Sequence, residues 1–228
     1  MIFALNHPVE LAGLLIGFVV GMLARSSVQQ AVVSRSRRRG SVRSVSAGRR
    51  PRVSGQWSAY LDPYGTVAGI LAGAGWSPRR ELRRTGFDDV TLLVAALVVH
   101  AVLAAAGLAA LSAAGVPLGE LDGLAVSSVL HGDLAPSDAG QALALGFAMV
   151  NIACGLLALL PIPPLELGVV LWSRLPRTPG TRRFAYHLLE EQWGVAVVLV
   201  LLLLPLGGQQ PLLLVLINDA AAPILRAL

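Results

Sequence analysis

The sequence predicts an all-α polytopic membrane protein, a bundle of about four to six transmembrane or re-entrant helices. Apolar residues make up 55% of the 228 positions, charged residues only 14%, and the mean hydropathy is +0.69. A soluble globule of this size needs more polar surface than that, and a disordered chain would be poor in the Leu, Val and Ala that dominate here. All basic side chains are Arg, and with the Ala, Gly and Leu excess this points to a GC-rich genome. A bacterial plasma membrane is the expected location. Cys154 is the single cysteine, which excludes a disulfide framework and leaves it facing lipid or packed as filler.

A hydrocarbon core of about 30 Å needs roughly 20 apolar residues per helix. Residues 2–24, 90–113 and 141–160 meet this, and 193–206 does so with less length. The segment 58–76 is apolar but Gly-rich and carries Asp62 and Pro63, and the tail 211–228 carries Asn218, Asp219 and Pro223. Both are expected to be re-entrant, interfacial or packed inside the bundle. No basic residue precedes the first apolar run, so it is expected to be an uncleaved span and not a signal peptide.

Loop charge sets the orientation. Residues 25–56 are rich in Arg without any acid, 77–89 hold Arg79, Arg80, Arg83 and Arg84, and 172–189 hold Arg174, Arg177, Arg182 and Arg183. These three are expected to be cytoplasmic. The link 114–139 carries Glu120, Asp122, Asp133 and Asp138 without Arg and is expected outside, together with the N-terminus. Because the loops flanking 58–76 are both basic, that segment should enter and leave on the cytoplasmic side. The Ser/Arg stretch within 25–56 reads as a flexible, topology-setting loop, with anionic headgroups as its other possible contact. No aromatics interleave with its arginines before Trp57, so no nucleic-acid partner is expected; the expected partners are the bilayer and transmembrane segments of other proteins.

Ionisable groups at membrane depth default to functional candidates. His7, Pro8 and Glu10 open the first span, where they either cap the helix and snorkel or face a polar interior. Glu10 is expected inside the bundle, either protonated or paired, with Asn151 or His100 as its partner. His100, in the middle of the second long span, and Asn151 each read as either an interhelical hydrogen-bonding group or a ligand. His131 falls in the acidic link and His187 in a basic stretch beside Tyr186. Pro161, Pro163 and Pro164 should stop the third span and force an extended segment before Glu166, beside a polar cavity.

Three stretches, in order, resemble the site-2 protease family of intramembrane zinc metallopeptidases, in which an H-E-x-x-H helix and a later N-x-x-P-x-P-P-L-D-G segment hold the metal. A-L-L-P-I-P-P-L-E-L-G, from Ala158 to Gly168, is similar to the proline-rich ligand segment. L-D-P-Y-G-T, from Leu61 to Thr66, is similar to the family's D-P-x-G-T run, with Arg52, Val53 and Ser54 where the family has a short R-L-T strand. Gly75 and Trp76 fall where a G-W pair precedes the next long helix. The resemblance implies a site-2-protease-like core over 1–175, followed by a C-terminal span and apolar tail over 176–228.

The chain departs from the family at its ligands. Laid on the first span, H-E-x-x-H falls on V-E-L-A-G, so Val9 and Gly13 replace both His and Glu10 alone remains as a vestigial base. Glu166 replaces the Asp ligand, Leu167 the following Gly, Ala158 the Asn that opens the proline segment, and His100 the Asn of the preceding span. Val and Gly donate nothing to zinc, which needs three protein ligands and one open site. The expectation is therefore a pseudoprotease without metal or cofactor, whose groove would involve Asn151, Pro161, Pro163, Pro164, His100 and His7. The alternative is an active intramembrane zinc metalloendopeptidase with atypical ligands drawn from His7, His100 and Glu166.

Overall fold

The computed structural model describes residues 2–38, 60–77, 89–133, 138–176, 178–189, 191–205 and 210–228. Among these, all regular structure is helical: a short 3₁₀ turn at Ile2–Asn6, then α1 (Pro8–Arg38), α2 (Pro63–Ala72), α3 (Asp89–Ala113), a 3₁₀ turn at Leu118–Leu121, α4 (Val126–His131), α5 (Ala139–Ala158), α6 (Glu166–Arg174), α7 (Pro179–Leu189), α8 (Trp193–Leu203) and α9 (Leu212–Arg226). Three helices, Pro8–Arg35 within α1, α3 and α5, are long and apolar enough to cross a membrane. α8 alone is 11 residues, about 16 Å at 1.5 Å per residue, so the expected fourth span stands only if α7 and α8 are counted together across a 57° bend.

α1 and α5 run parallel, with Gly13 against Leu143, Gly17 against Phe147 and Val150, and Gly21 against Asn151. α3 runs antiparallel to both and packs against them, with Gly107 on Ala148 and His100 beside Gly155. The ends of the bundle are thereby sorted. At one end Gln29 Nε2 donates to Leu92 O at 3.2 Å, joining the later part of α1 to the start of α3. At the other, Gln141 Nε2 donates to Ala114 O at 3.0 Å. The described residues flanking the Arg-rich links lie at the first, basic end; Glu120, Asp122, Asp133 and Asp138 lie at the second.

The Arg-rich region does not begin as a loop. α1 is 31 residues long and continues through Arg25 to Arg38, because 25–38 holds no Gly or Pro to end it and its buried face continues through Arg25, Ser26, Gln29 and Val33. The remainder of the expected loop, including Arg52, Val53 and Ser54, lies outside the described residues.

Residues 60–77 turn back on themselves, in keeping with an entry and exit at the basic end. Asp62 caps α2, accepting from Gly65 N at 2.8 Å, Pro63 takes the first helical position, and Thr66 Oγ1 donates to Asp62 O at 2.7 Å. This is the local physics of D-P-Y-G-T: a cap, a pre-set φ and a hydroxyl that closes the first turn. α2 ends at Gly73, whose φ of 85° bonds its N–H back to Gly69 O, as a left-handed cap requires. The chain then returns, so that Trp76 packs on Gly65 with a fit no side chain at 65 would allow. Ser26 Oγ donates to Tyr60 O at 2.9 Å, tying this hairpin to α1.

The proline segment differs from expectation. It forms a compact turn, with Leu165 N donating to Ile162 O at 2.9 Å and a cis Pro163–Pro164 bond; Pro161 is exposed, Pro164 half-buried and Pro163 buried. Gly168 of α6 and Gly194 of α8 both sit against the backbone around Pro163, so the carbonyls are packed and not strung along a cavity. At the acidic end α9 lies on α4, α5 and α8. Ser127 N donates to Asn218 Oδ1 at 2.9 Å, and Asn218 Nδ2 to Ser127 Oγ at 2.7 Å.

Cysteines placed at Ser173 and Gly119 in a Cys154→Ala background should react with an impermeant maleimide from opposite faces of sealed vesicles. Labelling of both from the same face would contradict this arrangement of ends.

Candidate functional site

Polar groups are buried at two depths along α1. The shallower set, towards the acidic end, is Glu10 alone. Its side chain is fully buried, and among the described residues neither carboxyl oxygen has a hydrogen-bond partner. It lies inside the bundle as expected, but the expected pairing is corrected: Asn151 and His100 sit about three turns further along α1, beside Gly21, and bond each other. Val9 is exposed, His7 is exposed at the same end, and Gly13 lines an apolar groove of about 390 Å³ with Ile16, Gly107, Leu143 and Phe147.

The deeper set is extensive. Asn151 Nδ2 donates to Phe147 O at 2.9 Å and across the helix pair to Gly17 O at 3.3 Å. Two carbonyl acceptors fix the amide, so its Oδ1 faces His100 Nδ1 at 3.1 Å. That nitrogen must carry the hydrogen, and Nε2, buried and unpartnered among the described residues, is left as an acceptor. One turn beyond Gly21 on α1, Arg25 is 1% exposed and pairs with Glu166, itself 7% exposed. Ser26 and Gln29 are buried beside it, held by the bonds to Tyr60 O and Leu92 O. Among the described residues Arg25 Nε and Glu166 Oε2 find no hydrogen-bond partner.

The expected convergence of Val9, Gly13 and Glu166 is not found. Glu166 contacts Arg25, which lies 12 residues beyond Gly13 on one continuous helix, about 18 Å along its axis. Gly13 faces the start of α5 and Glu166 follows its end, so no rotamer could bring the three together. The set His7, His100 and Glu166 fails for the same reason, since His7 stands at the opposite end of α1 from Arg25. Among the described residues no three His, Cys, Asp or Glu side chains gather as a metal set.

Comparison with protein-family models, curated proteins and solved structures finds no match. The site therefore stands on its own chemistry.

That chemistry does not suit a metal ion. Arg25 carries a permanent positive charge and is directed at Glu166, the one buried carboxylate of this level among the described residues, where it would repel a divalent cation. What the arrangement can do is fix α6 to α1 by a neutralised pair in surroundings of low dielectric. Sequence reading overlooked Arg25 because it counted the residue among the loop charges. The available signal was the spacing of four in Gly13, Gly17, Gly21, Arg25 and Gln29, a stripe of neighbouring positions that winds slowly round the helix, by about 40° per step, and runs past the apolar stretch.

Removing one partner of such a pair leaves a buried uncompensated charge, at a cost of about 3–5 kcal/mol. Arg25→Met and Glu166→Leu should each destabilise the purified protein by that order in detergent unfolding, and the double variant should recover most of the loss. Additive losses would contradict the pairing.

Proposed function

We propose that this chain is a membrane protein of site-2-protease-like architecture in which an ion pair replaces the metal centre: a pseudoprotease that holds transmembrane segments or regulates a membrane partner without cutting. The observation that carries this reading is the partner of Glu166. Glu166 ends the proline-rich segment that resembles the family's ligand run, and the residue it meets is Arg25. Arg25, Ser26 and Gln29 have the same i, i+1, i+4 spacing as H-E-x-x-H, and all three are buried. The resemblance is thereby moved along α1, from Val9, Glu10 and Gly13 to Arg25, Ser26 and Gln29.

In this register each position has lost its metal chemistry. Arg25 puts a cation where a neutral imidazole would ligate, Ser26 offers no carboxylate base, and the Gln29 amide is committed to Leu92 O. Metal-activated water needs three ligands and an open site, and this set supplies neither. Two further features support the reading: the capped, returning hairpin at 60–77, and the open apolar groove floored by Gly13 and Gly107, a surface suited to the side of another transmembrane helix.

Metal analysis of purified protein tests it. The parent should bind no stoichiometric zinc, and the combined variant Arg25→His, Ser26→Glu, Gln29→His, Glu166→Asp should bind about one ion per chain. The set Val9→His, Gly13→His, Glu166→Asp should stay empty. Zinc in the parent, or in the Val9 and Gly13 set alone, would overturn the proposal.

A further inference from the structure

α7 has a composition that neither water nor hydrocarbon suits. Phe184 and Leu188 stand one turn apart on one side of it, Arg183 and His187 one turn apart on another. Phe184 is 53% exposed and Trp193, which follows at the start of α8, 63% exposed. The ring of Phe184 packs on Trp172 of α6 with centroids 5.1 Å apart, and Leu171 on α6 and Leu175 just after it are exposed as well. Fully in water, this region would present aromatic and aliphatic surface of the kind that marks interaction sites. As the first half of a span, α7 would carry Arg182, Arg183 and His187 into hydrocarbon, where such groups are costly. The 57° bend between α7 and α8 also turns it away from the α8 axis.

We propose that α7 is an interfacial helix that docks onto the anionic phospholipid headgroups of the leaflet at the basic end. An amphipathic helix lying in the membrane plane buries its apolar side at the acyl boundary and keeps its basic side among the phosphates. The position is right: Gly194, at the start of α8, seats on Pro163 just beyond the end of α5, the same end of the bundle as Arg35. The charge is complementary: Arg183 is exposed, Arg182 precedes it, α7 itself carries no acid, and of the two acids that follow it, Glu191 is engaged by His187 Nδ1 at 2.6 Å while Glu190 lies outside the described residues. Trp193 and Tyr186 supply aromatic rings of the type enriched at such boundaries. This inference is independent of any protease resemblance.

The test uses the full chain with Cys154→Ala and Phe184→Cys, labelled with an environment-sensitive fluorophore and reconstituted into phosphatidylcholine vesicles with and without phosphatidylglycerol. Spin-labelled lipids carrying the label near the headgroup should quench it more than lipids labelled near the chain end. Docking should be stronger with phosphatidylglycerol and weaken with salt, by about fivefold for each of Arg182→Gln and Arg183→Gln. Absence of lipid quenching, equal quenching in both lipid compositions, or strongest quenching from the chain end would each overturn it, and all three are read on the parent chain without the Arg variants.

Discussion

Lipid tails solvate a leucine as well as another helix does, so apolar helices associate in a bilayer only where close packing or polar bonds give them a reason. Here the reason is the absence of side chains. A Cβ at Gly17 would lie 2.6 Å from Val150 Cγ1, one at Gly13 would lie 2.5 Å from Leu143 O, and one at Gly146 would lie 2.9 Å from Glu10 O. α1 and α5 therefore touch backbone to backbone over about two turns, from Glu10 to Gly17, and Gly107 brings α3 equally close to α5. Polar contacts across the bundle depend on this approach. Asn151 reaches Gly17 O because the helix axes are near enough, and the Asn151–His100 bond occupies space that Gly21 leaves open, since a Cβ there would lie 2.7 Å from Asn151 Oδ1.

That geometry sets the depth of Arg25. One turn past Gly21, the helix face that had carried no side chain carries the longest one, and the guanidinium fills the space left where α5 ends and α6 has begun. Glu166 lies in the first turn of α6, where the exposed amides of a helix N-terminus favour an acid. The proline turn delivers it there, held between Gly168 and Gly194. A buried pair of this kind adds little net stability, because desolvation offsets attraction. It constrains position: any displacement of α6 from α1 would leave two charges without neutralisation, so the pair ties the arrangement of the basic end to the three-helix core.

The parts of this fold legible in the sequence are those where one physical signal acts alone. The lengths of the apolar runs located α3 and α5 to within two residues and the apolar part of α1, though not its continuation to Arg38, and the basic links on both sides of 58–76 implied a hairpin that returns. Charge counting failed at Arg25, since a residue's formal charge does not say whether water or a carboxylate compensates it. It was the pairing with Glu166, some 140 residues away in the chain, that decided this, and no local window contains both. Glu10 was placed inside correctly and paired wrongly, because residues on neighbouring helices were matched by their polarity without their depth. The proline segment was read as extended from its missing amides alone, whereas packing against nearby Gly168 and distant Gly194 goes with a turn.

The chemistry of Glu166 also explains why the cation opposite it is arginine. A carboxylate buried at this depth is tolerable only beside a positive charge, which a metal ion or a side chain can supply. Lysine loses its proton readily on burial, and histidine is neutral near physiological pH, so neither holds a reliable charge there; the guanidinium does. On the proposed reading, loss of zinc and gain of arginine are therefore one coupled change. Removing the metal alone would strand the acid, and introducing the arginine alone would expel the metal. On that reading the arginine keeps Glu166 paired once the metal is gone, so the ion pair makes the loss of the remaining ligands tolerable.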